Sequence, residues 1–180
     1  QNDITPEHLR KFDAIVTGIR AYNVNAWMQN VYEVLMNYVK TGGVLLVQYN
    51  TNNNIGKVTT KIFPYNFEIS RTRVTDENAK VNFLQPKHAL LNYPNKISEA
   101  DFDNWIQERS TYEAEKTGEN FQHIFSMNDA GEKQSNGSLI VADYGKGRLI
   151  YCGLSFFRQL PAGVPGAFRL MANLLARPVK

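Results

Sequence analysis

Three polar clusters in this sequence stand where β-rich runs end. Arg20, Tyr22 and Asn23 follow FDAIVTGI (12–19), and Gln48, Tyr49 and Asn50 follow GVLLV (43–47). Ser155, Phe156, Phe157 and Arg158 follow GRLIYCGL (147–154). Guanidinium groups grip carboxylates, amides and hydroxyls hydrogen-bond polar ligands, and aromatic rings offer flat apolar faces. Gathered in one place, these residue types suit a neutral or anionic polar ligand such as a sugar or a carboxylate. Glu108 and Arg109, at the end of IQER, join the same candidate set. Each residue also has an ordinary structural use. Asn and Gln after a strand are common turn residues, the two phenylalanines can plug a core, and Arg158 can pair with Glu108.

Covalent catalysis has weaker support. A nucleophile elbow needs Ser or Cys on a tight turn flanked by glycines, because only small neighbours tolerate that geometry. No such residue stands at the end of VLLVQYN. Cys152 lies inside a strand-forming run, where a buried thiol is inert. GLSFF, around Ser155, only partly matches the elbow pattern. A Ser155–His88–Glu108 constellation is the one hydrolytic alternative the residue types allow. The acidic residues Asp76/Glu77, Asp101/Asp103 and Glu108 are scattered over separate segments, and His8, His88 and His123 are far apart, so no metal-ligand spacing appears. YGKGR is not followed by a helix, as a phosphate-cradling loop requires, and no other cofactor motif is present.

Bulk properties narrow the classes further. At 180 residues, 43% hydrophobic and 21% charged, the chain suits one globular domain with a single core. Net charge is +3 with the signs interspersed, which gives no footprint for nucleic acid. No apolar stretch reaches the ~18 residues of a membrane span. QNDITPEHLR has no initiator Met and lacks the apolar centre of a signal peptide, which leaves both export and the cytoplasm open and suggests a segment of a longer chain.

The elements that would position the clusters can be read in order. Thr5 caps a short helix with Pro6 at its first position. FDAIVTGI reads as a strand buried on both faces. From Asn25 to Lys40 the apolar residues recur at helical spacing, and Thr41-Gly42-Gly43 ends that helix. VLLVQY follows, completing a strand–helix–strand unit that is expected to be parallel and right-handed. NTNNNIGK is a loop, and residues 57–97 form an irregular excursion with short strands. Ser98 caps an expected helix, SEADFDNWIQER, and HIFSM (123–127) is a short strand candidate. GSLIVADYGKGRLIYCGL is a hairpin around Tyr144-Gly-Lys-Gly147. SFFRQLPAGVPG reads as a loop, and Pro165 opens a closing helix. The pattern predicts a three-layer α/β/α sandwich with a mixed, mainly parallel sheet. Ligands of such sheets bind beyond the carboxyl ends of the parallel strands, which is where the three clusters fall if GRLIYCGL runs parallel to the first two.

FDAIVTGIRAYN, LMNYVKTGGVLLVQYNTN, RVTDENAKVNFLQPKHALLNYPNKISEADFDNWIQERSTY and YGKGRLIYCGLSFFRQLPAGVPGAFRLMANLLA together resemble the C-terminal region of PIG-L (LmbE-like) family deacetylases of Bacteroidetes type. The region resembled is a flavodoxin-like, class I glutamine-amidotransferase-like module downstream of the zinc-dependent deacetylase domain. More distantly, the chain is similar to trehalose-utilisation-type domains and to the trimerisation domain of some β-galactosidases. The resemblance implies a non-catalytic accessory module. The deacetylase zinc motif is absent, and the position of the amidotransferase Cys reads Gln48-Tyr49-Asn50. It also implies a deacetylase domain as partner, a carbohydrate-like ligand or a homo-oligomer, and a sheet short of one or two strands before FDAIVTGI. A sheet edge left open in that way invites pairing with another chain. The alternatives are the atypical Ser/His/Glu hydrolase and a pure assembly domain.

Overall fold

The computed structural model describes residues 2–53 and 57–177. Helix α1 (Pro6–Leu9) is capped by the Thr5 hydroxyl, which accepts from the His8 N–H. Strand β1 (Ala14–Thr17) leads into α2 (Ala21–Val24), a 3-10 turn (Ala26–Val31), α3 (Tyr32–Lys40) and β2 (Val44–Gln48). Among its described residues the excursion carries only two-residue strands: β3 (Glu68–Ile69), β4 (Arg73–Val74), β5 (Asn82–Phe83), β6 (Ser110–Thr111), β7 (Ala114–Glu115), β8 (Gln122–His123) and β9 (Phe125–Ser126). Strands β10 (Leu139–Tyr144) and β11 (Gly147–Cys152) form the hairpin. The short α4 (Phe156–Gln159) and α5 (Pro165–Leu175) follow.

The protein is α/β, with a five-stranded mixed sheet ordered β1-β2-β11-β10-β8. β1, β2 and β11 are parallel, and β10 and β8 are antiparallel to their neighbours. The hairpin closes where expected, with Tyr144 opposite Gly147. Gly145 has φ +62°, and a Cβ there would stand 2.5 Å from the Lys40 carbonyl oxygen, so the turn fits under the end of α3 only with glycine.

Strand alternation sends neighbouring side chains to two separate cores. Val44, Leu46, Ile150 and Cys152 pack with Leu170 and Leu174 of α5. Leu45, Val47, Leu149 and Tyr151 pack with Leu35, Met36 and Val39 of α3. β2 and β11 are buried on both sides, as their continuous apolar runs predict.

Four expectations need correction. β1 is an edge strand rather than one buried on both faces, and Val16 is 41% exposed. The helix expected over 25–40 begins as a 3-10 turn, and only Tyr32–Lys40 is α-helical. Phe156–Gln159 is helical, not loop. The helix expected over SEADFDNWIQER is a single 3-10 turn, Glu99–Phe102, after which Asn104 and Gln107 adopt positive φ. Side chains have taken over the backbone groups that a helix would pair internally. Trp105 Nε1 donates to the Asp101 carbonyl, Arg109 Nη1 donates to the Phe102 carbonyl, and Gln159 brackets Ile106 by accepting from its N–H and donating to its carbonyl. Of NTNNNIGK, residues 54–56 lie outside the described residues.

Candidate functional site

The three parallel strands end side by side, and the segments leaving them meet at one rim. Leaving β1, Arg20 takes a left-handed conformation (φ 58°) and its N–H donates to the Tyr49 carbonyl at 2.8 Å. An αL arginine costs backbone strain, which surrounding contacts must hold in place. Leaving β2, Asn50 is fully buried and acts as a rivet. Its Oδ1 accepts from Tyr22 N at 2.9 Å, its Nδ2 donates to the Gln48 carbonyl, and its N–H donates to the Tyr151 hydroxyl. The Tyr151 hydroxyl in turn donates to the Tyr112 carbonyl at 2.8 Å, tying β11 and the excursion into the same knot. Asn23 and Thr51 exchange a reciprocal pair of bonds at 3.0 and 2.8 Å, and Gln48 Nε2 donates to the Thr17 carbonyl.

Above this knot lies an aromatic layer. The Tyr49 ring stacks with Tyr112, with centroids 5.8 Å apart and planes 11° apart, and meets Phe157 at 5.3 Å. Two guanidiniums cover it: Arg20 lies 5.9 Å from the Tyr49 centroid and Arg158 lies 4.9 Å from that of Phe157. Arg158 also donates to Glu108 Oε1 at 2.9 Å and to the Gln107 side chain. Glu108 is shared with Arg73, so a carboxylate with a nearly buried side chain faces two cations. Arg20, Gln107 and Tyr112 are three of the five non-glycine residues with positive φ among the described residues, and all three border this layer. Next to it, Thr51, Asn52, Lys61, Phe63, Tyr65 and Phe67 help line a cavity of about 390 Å³.

The rim therefore gathers Arg20, Tyr22, Asn23, Gln48, Tyr49, Asn50, Glu108 and Arg158, but few of them face outward. Asn50 and Tyr22 are enclosed, and burial pushes the Tyr22 phenol pKa up. Arg109 departs from the candidate set altogether. Its guanidinium points into the core, over the Phe102 and Trp105 rings at 5.6 and 5.7 Å, and donates to the Ala79 and Phe102 carbonyls. Ser155 is fully buried and its hydroxyl has no hydrogen-bond partner, so it faces neither ligand nor base. Rim side chains that are at least partly exposed include Arg20, Tyr112, Phe157 and Arg158, while the partly exposed Gln48 and Asn23 are bonded to backbone. Tyr112 had no signal in the sequence, because it lies in the aperiodic excursion. Phe157, read as a core plug, is half-buried and completes the layer.

The Ser155–His88–Glu108 constellation does not form. His88 caps the turn at Ala89–Leu91, its Nδ1 accepting from Leu90 N at 3.1 Å. Its pKa is lowered by burial and by Arg148, which lies near the start of β11, whereas Ser155 lies beyond the end of that strand. Cys152, at 0% exposure in β11, is equally remote from chemistry, and burial pushes its thiol up to about 12. No group of His, Cys, Asp or Glu among the described residues has the arrangement to hold a metal ion. No described helix is long and apolar enough to cross a membrane.

No family model and no curated protein matches the sequence. Solved structures match its fold. A cytoplasmic protein from Salmonella typhimurium LT2 aligns with a TM-score of 0.60 at 16% identity, over 95% of this chain and 74% of its own. A putative ThuA-like protein from Bacteroides uniformis ATCC 8492 aligns with a TM-score of 0.52 at 11% identity, over 95% of this chain and 71% of its own. A β-galactosidase from Bacillus circulans sp. alkalophilus aligns at 0.54 and 13% identity, over 92% of this chain but only 22% of its own. At such identities the likeness is one of fold alone. The ThuA-like structure supports an amidotransferase-like, flavodoxin-like fold for this sheet.

Proposed function

We propose that the chain is a non-catalytic, amidotransferase-like binding module, built as a three-layer sandwich with α3 and α5 on opposite faces of the sheet. The observation that carries this reading is the end of β2. An amidotransferase needs an exposed thiol there, and here Gln48 and Asn50 spend their amides on backbone groups while Tyr49 anchors an aromatic layer. The ligand class follows from what remains open. Two arginines flanking half-buried aromatic rings suit a carbohydrate-like molecule, the ring stacking on Phe157 or Tyr112 and an anionic or carbonyl oxygen meeting Arg20 or Arg158. The resemblance of GIRAYN, VQYNTN and SFFRQLPAGVPGA to the PIG-L C-terminal region supports a place beside an N-deacetylase domain, where such a rim would help position an N-acetylated sugar.

Thermal denaturation with N-acetylglucosamine, glucosamine and glucuronate tests the reading. The expected result is a concentration-dependent rise in melting temperature for at least one sugar, lost in the Arg20→Ala/Arg158→Ala double variant. No rise with any of the three, or a rise that survives the double variant, removes the binding rim.

A further inference from the structure

Beside the rim lies a second space, built by one loop. Among the described residues, those lining the cavity of about 390 Å³ all fall within 51–69, and its size lies in the ~300–1,000 Å³ range of small-molecule sites. The loop is anchored at its neck and at its back. At the neck, Asn52 Nδ2 donates to the Ile69 carbonyl at 2.6 Å, and Arg71 Nε donates to the Asn52 carbonyl at 2.9 Å. At the back, the Phe67 ring packs 5.0 Å from Tyr151 and 5.6 Å from Phe63, and the Tyr65 hydroxyl donates to the Asp143 carbonyl at 3.2 Å. The aromatic wall of the cavity is thus held against the sheet.

The wall also carries polar groups with no partner in the protein. Thr60 Oγ1 is shielded from solvent without a hydrogen bond. Ile62 and Phe63 are 5 and 2% exposed, and among the described residues neither takes a hydrogen bond through its N–H or its carbonyl. Buried polar groups are nearly always paired, and here the cavity is where a partner would come from. The charge around it is positive. Lys57 and Lys61 line the cavity from exposed positions, and neither forms an ion pair among the described residues. Lys61 Nζ lies 5.7 Å from the centroid of the Tyr32 ring. The carboxylate in the lining, Glu68, is already paired with Lys116 at 2.9 Å.

We propose that this cavity binds an aromatic carboxylate. The ring of the ligand lies against Phe63, Tyr65 and Phe67, where flat apolar faces meet. Its carboxylate meets the ammonium of Lys57 or Lys61 and accepts hydrogen bonds from the Thr60 hydroxyl and the Ile62 or Phe63 N–H. Both halves of the ligand are needed. A bare anion gains nothing from the aromatic wall and must compete with the strong hydration of an ammonium, and a neutral ring leaves the lysines without a counter-charge. The one residue that the cavity shares with the rim is Thr51, which pairs with Asn23. Neither Arg20 nor Arg158 lines it, so this inference is independent of the carbohydrate reading.

Amide NMR spectra of the 180-residue chain, titrated with naphthoate, with its neutral analogue naphthamide and with acetate, test it. Naphthoate is expected to give saturable shifts centred on the amides of Ile62 and Phe63. Naphthamide and acetate should each bind at least about tenfold more weakly. The Lys57→Ala/Lys61→Ala double variant changes two exposed side chains, so its circular dichroism spectrum should match the wild type while its affinity for naphthoate falls at least about tenfold. The Arg20→Ala/Arg158→Ala variant should bind naphthoate as the wild type does. No saturable shift, equal affinity for naphthamide, or unchanged affinity in the lysine variant would each overturn the proposal. Shifts centred on the rim and lost with the two arginines would also overturn it, while leaving the rim as a binding site.

Discussion

The central sheet and the long excursion between β2 and β10 are held together by different physics. In the sheet, Leu45, Leu46, Leu149 and Ile150 are wholly enclosed, and alternation alone distributes them between two cores. The excursion has almost no regular structure to satisfy its backbone, so buried polar side chains do so instead. Arg109 serves Ala79 and Phe102, Gln159 serves Ile106, and Asn173 donates to Leu90 and Asn95. The lesson is that a polar residue near a strand end is ambiguous. The same amide or guanidinium that would grip a ligand also replaces a missing ladder or helix bond, and in this chain most were spent that way.

Four measurements press on that contrast. Leu46→Ala or Ile150→Ala should cost about 2–5 kcal/mol in urea unfolding, since each leaves a cavity in a fully packed layer; a loss below that range would mean the sheet is not the main source of stability. Gln159→Leu should cost about 1–3 kcal/mol, because it takes away the buried amide that pairs with both the N–H and the carbonyl of Ile106. Faster hydrogen exchange confined to residues 104–109 would locate that loss in the excursion.

Glu113 offers a pH test. It is buried, and burial pushes its carboxyl pKa up against the bonds from Ser110, Ser135 and Gly137 that pull it down. The folded state therefore binds this proton more tightly than the unfolded chain does. Its contribution is fully present below the ordinary value of 4.5 and is lost as pH rises from there through the folded value. Stability of the wild type measured against Glu113→Gln should fall across that interval; a rise, or parallel curves, would contradict the assignment. The smallest effect is expected from Arg20→Ala, an exposed change within about 0.5 kcal/mol of wild type in stability. It should nevertheless reduce any sugar-dependent shift in melting temperature.

The same contrast explains what could be read from the residues alone. β1–α3–β2 and the β10–β11 hairpin announce themselves through apolar runs bounded by glycine turns, and the convergence of their ends follows from parallel order. The excursion does not, because its conformation is fixed by partners distant in the chain, such as Ile106 with Gln159 and Ala79 with Arg109, 53 and 30 residues apart. Arg109 and Ser155 had the right chemistry for a site and the wrong orientation, which periodicity cannot reveal. The exposure of Val16 escaped for a related reason: β1 has the composition of an inner strand and the position of an outer one.

The solitary thiol in β11 gives the fold a built-in clock. Cys152 is shut inside the middle of the sheet, so an alkylating reagent reaches it only when that strand is released. The rate of its modification in native buffer therefore times the rarest breathing motion of the domain, and any ligand that tightens the molecule should slow the tick.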